Sequence, residues 1–459
     1  MILRRNIKGL KVKVPIRGRK RNYIYFDNAA STPALISVIN ELYDYLDWYS
    51  GVHRGTGYKS LVSSRIYDDA HDIIGRFVGA DSVRDTVIMV KNTSEAINKL
   101  SYRLQLKPAD VVITTDMEHH SNDLPWRARA RVEYAAIDRQ GRLDTESLKR
   151  HLKSNYPRTK LLAVCGASNV TGHVNDVHLL ARMAHEYGCP ILVDGAQLVP
   201  HQHFDMKPHN DTAHIDYLAF SGHKIYSPFG SGVLIGPRNT FAGGPPEYPG
   251  GGTVKLVMTD KVFWADPPDR DEAGSPNVIG TYALARTLMY LDRLGMDKLG
   301  RYEQELTDYA LDQLQQVKGI TIYGSKPRVG VISFNLADLP HALLGAILCF
   351  DAGMGVRTGC FCAQKYVRQL LGLAESDHYL ELYDSGRMAK IPGMVRVSLA
   401  AYNTREEVDE LVRWLKHIAA HPHKYRRAYR FAASQGGYWP IDKKIDADLS
   451  NLIRIDAGF

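Results

Sequence analysis

Residues 216–224 read DYLAFSGHK, an apolar run from Tyr217 to Phe220 that ends in Ser221, Gly222, His223 and one lysine, Lys224. The run is short, aromatic and unbroken, the pattern of a strand covered on both faces. A lysine held just past such a strand is partly shielded from water, and desolvation favours its neutral amine. Lys224 is therefore a candidate nucleophile rather than one more surface charge. The turn-rich YSPFGSG (226–232) follows, and GVLIG (232–236) reads as a further strand.

Upstream, the same kind of run recurs at Val87–Val90, Val111–Thr114, Leu161–Val164 and Ile191–Val193. Helical spacing fills the intervals, as in Ala96, Ile97, Leu100 and Leu104 after Thr93. Short strands alternating with helices predict an α/β fold whose large, mostly parallel sheet is covered on both faces. Ligands in such sheets bind beyond the carboxyl ends of the strands. The glycine- and proline-rich stretch 242–276 reads as a long loop, with helical patterning resuming near Val278. A second, smaller α/β unit follows, with helices near 297–316, 340–350 and 404–419 and strands at Gly330–Asn335 and Met394–Ala400. The expected organisation is a basic extension at 1–22, a large domain at 23–290, a small C-terminal domain at 291–420 and a polar extension at 421–459. The first residues of the large domain are expected to pack on the small one.

The chain has 459 residues, 44% of them apolar and 24% charged, and this is the composition of an ordinary soluble protein. No apolar run reaches membrane-spanning length, so no membrane association is expected. Five cysteines in so long a chain are no secreted disulfide framework, which points to a cytoplasmic home. The net charge of +8 hints at nucleic acid, but residues 1–22 hold nine basic residues and no acidic one. The remaining chain is near neutral, so no nucleic-acid-binding face is expected. The basic segment itself reads as a solvated extension.

The strand ends carry the chemistry. ILVDGAQ places Asp194 at the end of a strand, with Gln197 in the following turn. Lys91-Asn92-Thr93-Ser94 joins a strand to a helix and offers hydroxyls and free N–H groups to an anion, or simply caps the helix. Met117-Glu118-His119-His120 and Ser168-Asn169-Val170-Thr171-Gly172 each follow a strand. An amine, a carboxylate, a ring-stacking imidazole and a phosphate cradle on one sheet edge are what pyridoxal 5'-phosphate requires. Its ring nitrogen must stay protonated, which calls for a carboxylate such as Asp194, and its aldehyde forms a Schiff base with a lysine. No HExxH or paired Cys/His spacing is present, and no metal site is expected.

These stretches resemble the class V aminotransferase-like enzymes, and among them the group II cysteine desulfurases and selenocysteine lyases. The matching segments are FDNAASTP (26–33), VHRG (52–55), NTSEAIN (92–98), MEHHSNDLPW (117–126), SNVTG (168–172), VDGAQ (193–197), AFSGHK (219–224), AGSPN (273–277), VRTGCFC (356–362) and RVSLAAYNT (396–404). The resemblance implies the fold-type I architecture of pyridoxal-phosphate transferases, and a homodimer. It implies Lys224 as the cofactor lysine, Asp194 at the ring nitrogen, Gln197 and Asn169 near the ring hydroxyl, and His119 stacked on the ring. Thr93, Ser94, Ser221 and His223 would hold the phosphate, and Ser275 would reach the phosphate of the partner subunit. Arg396 would clamp the substrate carboxylate, with Asn169 and Arg357 beside it, and Cys362 would be the nucleophile that takes sulfur. The doublet RTGCFC is similar to molybdenum-cofactor sulfurases, but about forty residues after 419 are too few for their additional domain.

The implied function is a cysteine desulfurase that converts L-cysteine to L-alanine and leaves a persulfide on Cys362 for an acceptor protein. Other readings are a selenocysteine lyase or C–S lyase acting by β-elimination, and a sulfur-delivery partner or scaffold without turnover of its own. Cys165, Cys189 and Cys349 read as core residues. Cys360 and Cys362 could also form a regulatory disulfide or half of a zinc site. The stretch 374–392 reads as an insertion able to cover the site.

Overall fold

The computed structural model describes residues 2–16, 19–53, 55–337, 339–433 and 436–441. Arg17 of the basic segment, Arg54 of the VHRG motif and residues 442–459 of the C-terminal extension lie outside the described residues.

Seven strands form the main sheet: β1 (Asp85–Val90), β2 (Val111–Thr115), β3 (Arg131–Ala135), β4 (Thr159–Cys165), β5 (Ile191–Asp194), β6 (Tyr217–Ser221) and β7 (Gly232–Pro237). Their spatial order is β1-β7-β6-β5-β4-β2-β3. All run in one direction except β7, which is antiparallel to both of its neighbours. The short turn between β6 and β7 cannot span the crossover that a parallel partner would need. Central strands β4, β5 and β6 are buried almost throughout, as expected of a sheet covered on both faces. Helix α1 (Thr93–Arg103) follows β1, and α2 (Val177–His185) lies between β4 and β5.

A four-stranded antiparallel sheet holds a second core, in the order β8 (Ile320–Tyr323), β9 (Val331–Leu336), β11 (Met394–Ser398) and β10 (Arg357–Gly359). The helix Arg405–Ala420 covers it and opens on a capping box between Thr404 and Glu407. Ile24–Tyr25 pairs in parallel with Met354–Gly355, and Asp27 bridges to Ser398. That pairing brings the FDNAASTP segment against β11. A small cluster of Met117, Cys165, Val170, Phe361, Tyr366 and Met394 joins the end of the main sheet to the second one.

Three sequence expectations need correction. The basic segment is not a plain solvated extension: Leu3, Ile7 and Ile16 are buried, and Arg4 donates to Glu407 at 2.7 Å and to the Tyr402 carbonyl at 2.9 Å. Its apolar residues anchor it while most of the cations face solvent. The stretch 242–276 is not only loop, because Val254–Val257 and Val262–Trp264 form a hairpin whose Leu256, Val257 and Phe263 are exposed. Cys349, expected in the core, has an exposed residue surface, although its surroundings still raise its thiol pKa by burial. The insertion at 374–392 contains a short helix, His378–Asp384.

Candidate active site

A cavity of about 360 Å³ opens at the carboxyl edge of the main sheet, and β1, β2, β4, β5 and β6 each deliver a side chain to it. Thr93, Ser94, His119, Asn169, Asp194, Gln197, Ser221, His223, Lys224, Arg357, Cys362 and Arg396 all line it. Ser275 does not; it lines a separate surface depression with His53, Gly252 and Glu272.

The anion end forms where the start of α1 meets the end of β6. Asn92 caps α1 by accepting from the Glu95 N–H at 3.0 Å, so neither Thr93 nor Ser94 is used as the cap. Thr93 instead turns to Ser221, with N–H to Oγ at 2.8 Å and hydroxyl to hydroxyl at 2.6 Å. Ser94 meets the hydroxyl of Ser121 at 2.5 Å. The start of α1 thus gathers several hydroxyls at a positive helix end, a setting for a phosphate. Gly222 permits the tight exit from β6, since a Cβ there would stand 2.5 Å from the Ser231 hydroxyl.

Lys224 sits deep in the cavity. Burial pushes its ammonium pKa down, opposed by Asp194 and Cys362 and reinforced by Arg396. Asp194 is fully enclosed, and burial raises its pKa against the pull of the Ala196 N–H, 3.0 Å away, and of Lys224. A cation placed against Asp194 would relieve that cost. Gln197 donates to the Ala29 carbonyl at 2.6 Å, while its Oε1 is buried with no hydrogen-bond partner. A buried amide oxygen without a donor is costly, and a ligand hydroxyl would satisfy it. This donor set fits a phosphorylated pyridine aldehyde: amine, carboxylate, unsatisfied amide and anion cradle are all present.

His119 is neutral here. Burial, with Lys224, His120 and Arg396 nearby, brings its pKa down to about 3. Its Nδ1 accepts from the Ser121 N–H at 3.1 Å, which places the ring proton on Nε2. Behind it, Glu118 accepts from Thr115, Asn122 and the Cys165 N–H at 2.6, 2.7 and 3.1 Å. Burial still raises the Glu118 pKa to about 7.

Arg396 is 3% exposed, and burial lowers its pKa to about 10, so it remains a cation at neutral pH. It donates to the Asn169 carbonyl at 2.8 Å and to Asp27 at 3.2 Å, and its Nε has no partner. Arg357 binds the other oxygen of Asp27 at 2.8 Å, so one carboxylate orients two guanidinium groups. The guanidinium carbon of Arg396 lies 4.7 Å from the centre of the Phe361 ring.

The loop carrying Cys362 is tied on both sides. Asn169 donates to the Phe361 carbonyl and the His120 N–H to the Cys362 carbonyl, each at 2.7 Å. Phe361 and Cys362 both adopt positive φ, 53° and 55°. That conformation costs about 1–2 kcal/mol per non-glycine residue, and it leaves the Cys362 residue exposed at the cavity wall. Cys360 lies farther in, with its thiol 3.5 Å from the Pro392 carbonyl and its pKa raised by burial.

Ser121, Asp27 and Glu118 were not singled out by sequence reasoning. Each stands inside or beside a quoted motif, but its role depends on a contact made through space.

The class V aminotransferase family model matches residues 24–411. A cysteine desulfurase of Haloferax volcanii is 36% identical over 400 residues, covering 85% of this chain and 88% of that protein. One from Serratia proteamaculans is 36% identical over 425 residues, covering 90% and 98%. Among solved structures, the apo cysteine desulfurase of Thermococcus onnurineus is similar with a TM-score of 0.76 and 31% identity, over 87% of this chain and 95% of that one. The Escherichia coli cysteine desulfurase CsdA follows at 0.74 and 28%, with the same coverage.

Proposed function

The chain belongs to the class V aminotransferase family, and from that membership we propose that it is a pyridoxal-phosphate-dependent cysteine desulfurase, releasing L-alanine and passing the sulfur of L-cysteine to Cys362. One observation carries the assignment of residues: Lys224, Asp194, Arg396 and Cys362 converge on a single cavity from four segments of the chain. The fold is that of fold-type I pyridoxal-phosphate enzymes.

Pyridoxal phosphate, when bound, supplies an electron sink for the α-carbon of the amino acid. Lys224 is the amine that would hold its aldehyde carbon, with Asp194 against the ring nitrogen and Gln197 Oε1 facing the ring hydroxyl. Thr93, Ser94, Ser221 and His223 would take the phosphate, and the neutral ring of His119 would lie on the pyridine. Arg396 binds the substrate carboxylate, with Arg357 and Asn169 completing that end. Lys224, lowered in pKa by burial, takes the α-proton through Nζ. The Cys362 thiolate attacks the substrate sulfur, a step open only to the deprotonated form. His119, whose ring proton is fixed on Nε2 by the Ser121 contact, would move a proton on or off the substrate sulfur.

The enzyme is further read as a homodimer in which Ser275 completes the partner subunit's phosphate site, and as the donor to a sulfur-acceptor protein. A reducing cytoplasm suits it: the five cysteines are all unpaired, and among the described residues no helix is long and apolar enough to cross a membrane. The division into units 23–290 and 291–420 is supported by two hydrophobic cores that fall largely on either side of it, with Phe26 packed in the second core and Val331 and Tyr402 in the first.

The test is alanine formation from cysteine by the native protein and by Cys362→Ala, both with full cofactor content. Loss of turnover in the variant is expected. Undiminished alanine from the variant rejects the assignment and favours the selenocysteine-lyase reading, whereas pyruvate and ammonia in place of alanine would favour a β-eliminating C–S lyase.

A further inference from the structure

The amino edge of the main sheet, opposite the cavity, carries a side-chain cluster that desulfuration does not use. Asp216 stands just before β6, and its two carboxylate oxygens face two imidazoles. His185 Nε2 is 2.9 Å from Oδ2, and His214 Nε2 is 3.1 Å from Oδ1. One ligand atom from each of the three residues lies within 4.8 Å of the others.

His185 is fixed from behind, with Nδ1 2.7 Å from the Thr212 carbonyl. A carbonyl only accepts, so Nδ1 carries the proton. Nε2 is then the nitrogen left to meet the Asp216 carboxylate at 2.9 Å, a contact that needs positive charge between the two atoms, from a ring proton or from a metal ion. His214 Nε2 is shielded from solvent, and its 3.1 Å contact with Asp216 Oδ1 is not aligned as a hydrogen bond. Its ring is packed between those of His185 and His209, each with its centroid 4.9 Å away. His209 is held by Asp85 at 2.9 Å, and His178 ties the same loop to α2 through the Ala213 carbonyl at 2.8 Å. The donors are therefore preoriented from outside the cluster.

We propose that His185, His214 and Asp216 bind a divalent transition-metal ion of the zinc class. Two imidazoles and one carboxylate are a zinc donor set. Side-chain exposures of 21%, 13% and 16% leave room for water in the fourth position. No sequence motif announces the site, because its ligands come from α2, a loop and the start of β6.

Its consequence is structural. Asp216 Oδ2 also accepts the N–H of Ile191, the first residue of β5, at 2.8 Å. The ion would clamp the end of α2 and the starts of β5 and β6. The far ends of those two strands carry Asp194 and lead to Lys224.

The experiment titrates Zn²⁺ into chelator-treated holoenzyme by calorimetry, with metal content measured after desalting. One ion per chain is expected at this site. His185→Gln and His214→Gln should each weaken binding by ~100-fold or more, since altering even an outer-shell partner costs 10–100-fold. Desulfuration by both variants should be unchanged. X-ray absorption on the zinc-loaded native protein gives a readout independent of the variants. It should show imidazole and oxygen ligands at ~2.0–2.1 Å, whereas a sulfur shell at ~2.3 Å would place the metal on cysteines and overturn the proposal. Absence of uptake, or equal affinity in native and variant proteins, would also overturn it and leave a protonated His185 paired with Asp216.

Discussion

Replacing Arg396 by lysine tests the substrate clamp with little disturbance of the fold. The guanidinium is almost fully enclosed, donates to Asn169 and Asp27, and leaves Nε without a partner. Lysine keeps the charge but loses the planar fork that meets both oxygens of a carboxylate. The loss amounts to one charge-assisted hydrogen bond, about 1.5–3 kcal/mol, because Asp27 keeps its 2.8 Å contact with Arg357 and is not stranded. That energy corresponds to a fall in kcat/KM of ~10- to 150-fold. If Arg396 binds the ground-state carboxylate, the fall appears mainly as a raised KM. Initial rates of alanine formation across a range of cysteine concentrations measure it, with cofactor absorbance as the control for site integrity. An unchanged KM with a reduced kcat would refute carboxylate binding by Arg396, and so would no change at all.

Ser221→Ala should weaken cofactor affinity roughly tenfold, because Thr93 N–H and Oγ1 both lose their partner; equilibrium dialysis of the aldehyde measures this. His119 and His223 are held to pKa values of about 3 and about 4, chiefly by burial. The unfolded chain therefore binds more protons below ~6.5, and the stability of the cofactor-free protein falls as pH drops from there toward 3. His119→Gln should lessen that fall in thermal unfolding between pH 7 and pH 5, and an equally steep fall would contradict the assigned burial effect. Thr404→Ala removes one arm of a capping box and should cost about 1 kcal/mol of stability without altering the KM for cysteine.

Most of the cavity was legible in sequence because its groups stand within a few residues of strand ends, where an apolar run marks the position. Asp194 closes its strand and Lys224 follows Ser221 by three residues, so local pattern places both. Contacts closed across the fold were not legible. Asp27 orients two arginines more than three hundred residues away, and Ser121 meets Ser94 only because β1 and β2 end at the same edge. Nor does composition reveal that Phe361 and Cys362 take left-handed backbone conformations, since neither is a residue that favours them. The basic segment misled for a related reason. Nine cations dominate its composition, while Leu3, Ile7 and Ile16 decide where it lies.

The transfer of sulfur to Cys362 is tested most directly by mass spectrometry of the holoenzyme after a single turnover with cysteine, thiols being trapped by alkylation. The account predicts that the peptide containing Cys362 gains the mass of one sulfur atom, and that this gain disappears in Cys362→Ala together with alanine formation. Alanine produced with no added sulfur on that peptide, or with the sulfur on Cys360 instead, would contradict it.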